Sequence, residues 1–177
     1  MGDISKNFSY KEFVVSDSYP ELAAKIELTE FDKYKIFWMV QIFLQPVRDL
    51  LNLEVVVGSA KRSPQLNNKV GGMGVSDHLF QGFSCAVDFK LRKLGASKDD
   101  WELIGNHWAL IHRLFWGKQQ CTNQLIRYLP SAGNFIHFSL ADRGKVWQVL
   151  YCASRGNRMY FDSLTEAESY MRGVGGG

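Results

Sequence analysis

From Phe31 to Leu51, "FDKYKIFWMVQIFLQPVRDLL" repeats apolar residues at helical spacing, and Phe31, Tyr34, Ile36, Phe37, Val40, Ile42, Phe43 and Leu44 make a wide apolar face. The pattern predicts a helix from about Thr29 to Leu51, kinked or restarted at Pro46 because a proline ring clashes with the turn before it. "LEVVVGS" (53–59) is β-branched and closed by glycine, the pattern of a buried strand, and "CAVDFKL" (85–91) is a second strand. Between them runs the polar, glycine-rich "KRSPQLNNKVGGMGVSDH", with a short helix start at Ser63-Pro64. Ordered connections of this length in compact domains tend to carry function. "SKDDWELIGNHWALIHRLF" (97–115) predicts another helix, capped by Ser97 with acids in its first turn. "NQLIRYL", "NFIHFSL" and "VWQVLYCA" predict three closing strands in a meander.

Ahead of all this, "FSYKEFVVSDSYPEL" reads as an irregular arm with aromatic anchors. The order of elements implies an α+β fold, with helices packed on a small, mainly antiparallel sheet. Residues 1–172 are expected to form one domain, followed by a flexible Gly-rich tail at 173–177.

Composition narrows the function classes. Apolar residues make up 46% and charged residues 22% of 177 positions, as in a soluble globular protein. A net charge of +3 without a basic block gives no case for nucleic acid. No apolar run reaches membrane-spanning length, and "MGDISKNFSYKEF" lacks the pattern of a secretory signal, so synthesis in the cytoplasm is expected. Cys85, Cys121 and Cys152 are an odd set without a CxxC pair, which argues for reduced thiols over disulfides or a cysteine metal site.

The chemistry concentrates in histidines and one aspartate. His107 and His112 are five apart, about 140° around a helix, so they do not converge. In "NFIHFSL" alternation puts Phe135, His137 and Ser139 on one face and Ile136, Phe138 and Leu140 on the other. Asp88 interrupts an apolar strand, where a buried carboxylate needs a partner: a divalent cation or an arginine. Two imidazoles and one carboxylate form a common catalytic zinc set, and His78, Asp88 and His137 supply it.

These residues also carry a resemblance. "GSAKRSPQLNNKVGGMGVSDHLFQGFSCAVDF" is similar to the ordered signature of zinc D-Ala-D-Ala carboxypeptidases, a family that includes phage L-alanyl-D-glutamate endopeptidases and is related to hedgehog-type domains. "NQLIRYLPSAGNFIHFSL" resembles its closing segment, and "NFSYKEF" and "LQPVRDLL" resemble the phage-type members. The resemblance implies zinc bound by His78, Asp88 and His137. It also implies Arg62 as the arginine that holds a substrate carboxylate or polarises the scissile carbonyl, with Ser76 and Gln124 at the substrate. The implied function is a zinc peptidase acting on peptidoglycan peptide stems, expected as a monomer and delivered by a phage lysis system or virion.

Two departures from that family stand out. The spacing from His78 to Asp88 is ten, three residues wider than the family's, which places an enlarged loop at "LFQGFSC". The family's acidic general base lies three residues before the last histidine, and that position is Asn134. An amide cannot take a proton from an attacking water near neutral pH, although it can orient one. Asp77 and Asp142 are the acids considered as stand-ins. A second reading follows: a weak or inactive protein of the same fold that keeps metal and peptide binding.

Overall fold

The computed structural model describes residues 3–96, 107, 110, 111, 113, 114, 124–128, 133–141, 148–154, 157–161 and 169. The helix expected over 97–115 falls mostly outside this set, as do its Ser97 cap and the tail. Its described positions, His107, Leu110, Ile111, Arg113 and Leu114, are helical, and Ile111 is buried.

The apolar stretch after Thr29 is helical without a break to Leu51. Helix α1 (Pro20–Ala23) is a single turn in the N-terminal arm, and α2 (Glu30–Met39) follows. Thr29 and Asp32 exchange side-chain-to-backbone hydrogen bonds of 3.1 Å, a capping box that sets where α2 begins. Val40–Leu44 then widen into a π turn, and α3 (Gln45–Leu51) starts with Pro46 in its first turn. The proline brings no N–H and its ring crowds the carbonyl four residues back, so the helix widens by one residue ahead of it. Asn52, at φ 53°, ends the column in the left-handed conformation.

This column carries two apolar stripes where one wide face was expected. Ile36, Met39, Val40, Phe43 and Leu44 are fully buried, whereas Phe31, Tyr34 and Phe37 join Trp38 in a ring-to-ring cluster on the outside. Steps of about 100° per residue separate the two sets.

Six strands form one sheet in the order β1-β2-β4-β3-β5-β6: β1 (Glu54–Ser59), β2 (Cys85–Arg92), β3 (Gln124–Tyr128), β4 (Phe135–Leu140), β5 (Gln148–Ser154) and β6 (Asn157–Phe161). Every neighbouring pair is antiparallel except β3 and β5. The fold is α+β on a mainly antiparallel sheet, as expected, but the closing strands are not a simple meander. Both edges of β4 are taken by β2 and β3, so β5 adds to the free edge of β3. A chain that reverses after β4 runs antiparallel to β4 and therefore parallel to β3. Strand β6 has no counterpart among the expected elements. Strand β1, expected to be buried, lies at the sheet edge with only Val55 fully buried.

The sheet has two unlike faces. Val87, Phe89, Leu91, Leu125, Ile136 and Phe138 pack under the helical column, where Phe43 stacks on Phe138 at 3.9 Å between ring centroids. The arm adds Phe8 and Phe13 to the same core, which matches its reading as an aromatic anchor. Residues of alternate parity, among them Asp88, His137, Ser139, Gln124 and Ile126, take the other face. Phe43→Ala is expected to cost about 3–5 kcal/mol, because the void between Phe89 and Phe138 cannot fully collapse. Chemical denaturation checks this, and a loss under 1 kcal/mol would mean that the ring is not a core element.

Candidate metal centre

Register alone brings two of the three candidate ligands together. Asp88 on β2 pairs directly with His137 on β4, so both side chains leave the same face of the sheet. The third arrives by a loop. Ser76 opens a 3₁₀ turn at Asp77–Leu79, its Oγ accepting from the His78 N–H at 3.3 Å, and the turn places His78 over the two strands. A bulge between Val57 and Ser59 shifts β1 so that Ser59, not Gly58, stands opposite Asp88.

One donor atom from each of His78, Asp88 and His137 lies within 4.8 Å of the others. Asp88 Oδ1 is 2.7 Å from His137 Nδ1, and Oδ2 is 3.3 Å from His78 Nε2. The Arg62 guanidinium also reaches this carboxylate, with Nη2 donating to Oδ2 at 2.8 Å and Nε donating to Ser59 Oγ at 3.0 Å. Of the two partners that Asp88 called for, the arginine is present, and the two histidines beside it could hold the other, a cation.

The tautomer of His78 decides what the cluster can hold. Its Nδ1 lies 2.7 Å from the Ala60 carbonyl, which can only accept, so Nδ1 carries the proton and Nε2 keeps its lone pair. Burial, the dominant influence, lowers the His78 pKa and keeps the ring neutral. Burial is also the largest influence on Asp88 and would push its carboxyl up, but the carboxyl is held well below the usual carboxylate range, with the His137 ring hydrogen-bonded to Oδ1. A lone pair thus faces a carboxylate oxygen across 3.3 Å. Two acceptors at that distance repel unless a proton or a cation stands between them, and with His137 beside them the three donor atoms are close enough for one divalent metal to take that place.

The profile of the Peptidase M15 family matches residues 6–104, more than half of the chain. The chain belongs to the Peptidase M15 family. No curated protein and no solved structure matches it. The M15 match covers Arg62, Ser76, His78 and Asp88 and stops before Gln124, Asn134 and His137. The last three are tied to the site by the sheet: β3 and β4 pair Gln124 with Ser139 and Ile126 with His137, so Gln124 shares the face of His137.

Asn134 is placed differently. It is buried in the left-handed conformation, at φ 53°, just before β4, and its Oδ1 accepts from Arg127 Nη1 at 3.3 Å. A guanidinium has only donors, so the oxygen of the amide must face it. The Asn134 side chain thus has its oxygen hydrogen-bonded to Arg127. Arg127 was not singled out in the sequence; the sign was an arginine inside the apolar strand "NQLIRYL". Asp77 is buried in the turn ahead of His78 and is not part of the converging set, while Asp142 and His112 lie outside the described residues. Of the cysteines, Cys85 is a core thiol whose pKa burial pushes up to about 12. Its side chain points to the helical face, away from the cluster.

Proposed function

We propose that this M15 chain is a zinc-dependent peptidase that cleaves peptide stems of peptidoglycan, with His78, Asp88 and His137 as the metal ligands. The observation that carries the reading is the neutral His78 Nε2 facing the Asp88 carboxylate at 3.3 Å, an arrangement that a divalent ion completes. Zinc bound there would supply Lewis acidity, polarising an amide carbonyl and making a water more acidic. Arg62 is fixed by Ser59 and Asp88 through Nε and Nη2, which holds the guanidinium beside the cluster, where it would donate to a substrate carboxylate or the scissile carbonyl. Gln124, on the same sheet face as His137, would meet the substrate, and Ser76 would act through the turn that presents His78.

A second reading is favoured by one specific observation. Asn134 is no base, and its oxygen is engaged by Arg127, so the same protein with slow turnover would bind metal and wall peptide without cutting efficiently. The similarity of "NFSYKEF" and "LQPVRDLL" to phage-type members supports a phage-encoded protein, which a lysis system or virion would deliver to the wall. Among the described residues no helix is long and apolar enough to cross a membrane.

Incubating the protein with purified peptidoglycan, and following new amino termini and released peptides by mass spectrometry, tests this directly. Release that stops with a chelator and returns with zinc is the expected result. Binding to the wall material with no release at high enzyme concentration would favour the second reading. Release that persists in chelator would overturn the zinc assignment.

A further inference from the structure

The loop between the first two ligands rests on a buried ionic cluster. Lys35, on α2, is 4% exposed, as is Asp32 one turn earlier. The Lys35 ammonium donates to the carbonyls of Phe80 and Gly82 and lies 3.5 Å from Asp32 Oδ1. Lys61 donates to the same carboxylate oxygen at 3.1 Å and to the Leu79 carbonyl at 3.4 Å. The Phe80 ring has both ammonium groups about it, at 5.2 Å and 5.1 Å from its centroid, and its backbone is held at φ 56°. Three of the four carbonyls after His78, those of Leu79, Phe80 and Gly82, are thus satisfied by two lysines.

These carbonyls end a 3₁₀ turn, where backbone acceptors lack helical donors. Water or an amide would serve an ordinary loop. Burying an ammonium is costly unless it is paired and fully hydrogen-bonded, so the loop is fixed at some expense to stability. The backbone around Lys61 shows what is being fixed. The Ala60 carbonyl accepts a hydrogen bond from His78 Nδ1, the Arg62 N–H donates to the His78 carbonyl at 2.7 Å, and the Arg62 side chain holds Asp88. Ala60, Lys61 and Arg62 therefore grip the histidine ring, the loop behind it and the aspartate at once. At its other end the cluster is tied through Asp32 to the Thr29 cap of α2, the start of the core helical column.

We propose that Lys35 and Lys61, joined through Asp32, are positioning residues for the metal centre: they hold the enlarged Leu79–Ser84 loop so that His78 Nε2 stays aimed at Asp88. This rests on the zinc reading above. A longer loop between two ligands leaves the first ligand more ways to stray, and a rigid support restores the geometry that a shorter loop would enforce.

The test uses the full chain and two variants, Lys35→Met and Lys61→Met, with metal affinity measured by chelator competition and the visible spectrum of the cobalt-loaded protein. The thermal midpoint is followed beside them. Lys35→Met is expected to bind zinc about 10–100-fold more weakly and to shift the cobalt bands, the size of effect that outer-shell partners produce. Lys61→Met is expected to act in the same direction. A cluster that only stabilises the fold would lower the midpoint and leave the affinity and spectrum of the folded protein unchanged; that outcome overturns the proposal. If Lys35→Met does not fold, Lys61→Met, whose side chain is partly exposed, decides by the same readouts. A wild-type chain that binds neither zinc nor cobalt would instead sink the zinc reading beneath it.

Discussion

His137→Ala is expected to leave a folded chain that no longer retains zinc, where the wild type holds about one ion per chain. In the proposed site the imidazole would supply one of three ligands, and the loss should exceed the roughly 100-fold that removal of an outer-shell partner causes. Fold loss should be limited, because Asp88 keeps Arg62 on Oδ2 when His137 leaves Oδ1. A cost of about 1–3 kcal/mol, the usual penalty for stranding one buried polar group, is expected. Elemental analysis after dialysis, with circular dichroism beside it, checks both parts; full zinc occupancy in the variant would remove His137 from the ligand set.

The pH dependence of binding follows from His78. A histidine ligand must be neutral, and its proton competes with the metal. Burial lowers the His78 pKa, so its Nε2 lone pair persists as pH falls below the ordinary imidazole range. Wild-type zinc binding should consequently decline at a lower pH than that of an exposed imidazole.

Asn134→Asp should have the largest effect on catalysis. If a missing base limits the wild type, a carboxylate at this position is expected to raise peptidoglycan hydrolysis by roughly 10²–10⁴-fold, the usual worth of such a group. A carboxylate has the second acceptor oxygen that the amide lacks, so one oxygen can keep Arg127 while the other takes a proton from water. The Arg127 charge would favour the ionised form, which is the form a base needs. Equal rates for the two proteins, measured as new amino termini per unit time, would mean that another group already supplies the base.

Much of the site was legible because its signals are local. Asp88 in an apolar strand and His137 at an alternating position marked one sheet face, and the register of β2 with β4 sets them side by side. The helix start at Ser63-Pro64 and the disturbance of the helix around Pro46 were also local, and both are present. What escaped was long-range. The parallel partner of β3 depends on which strand edges are already filled, and the edge position of β1 depends on what fails to pair with it. Lys35 lies between apolar neighbours in a helical pattern, and only its contact with Phe80, 45 residues away, makes it a buried cation.

By itself the sequence determined the α+β class and marked the candidate ligands His78, Asp88 and His137, because side-chain chemistry and periodicity are properties of neighbouring residues. The tertiary structure decided the His78 tautomer through the Ala60 carbonyl and the commitment of Arg62 to Asp88. It also decided the engagement of Asn134 by Arg127 and the ionic support beneath the enlarged loop. Each of those depends on a carbonyl or a charge that another part of the chain brings within about 3 Å, a distance at which hydrogen bonding chooses proton positions and orientations that no residue type fixes alone.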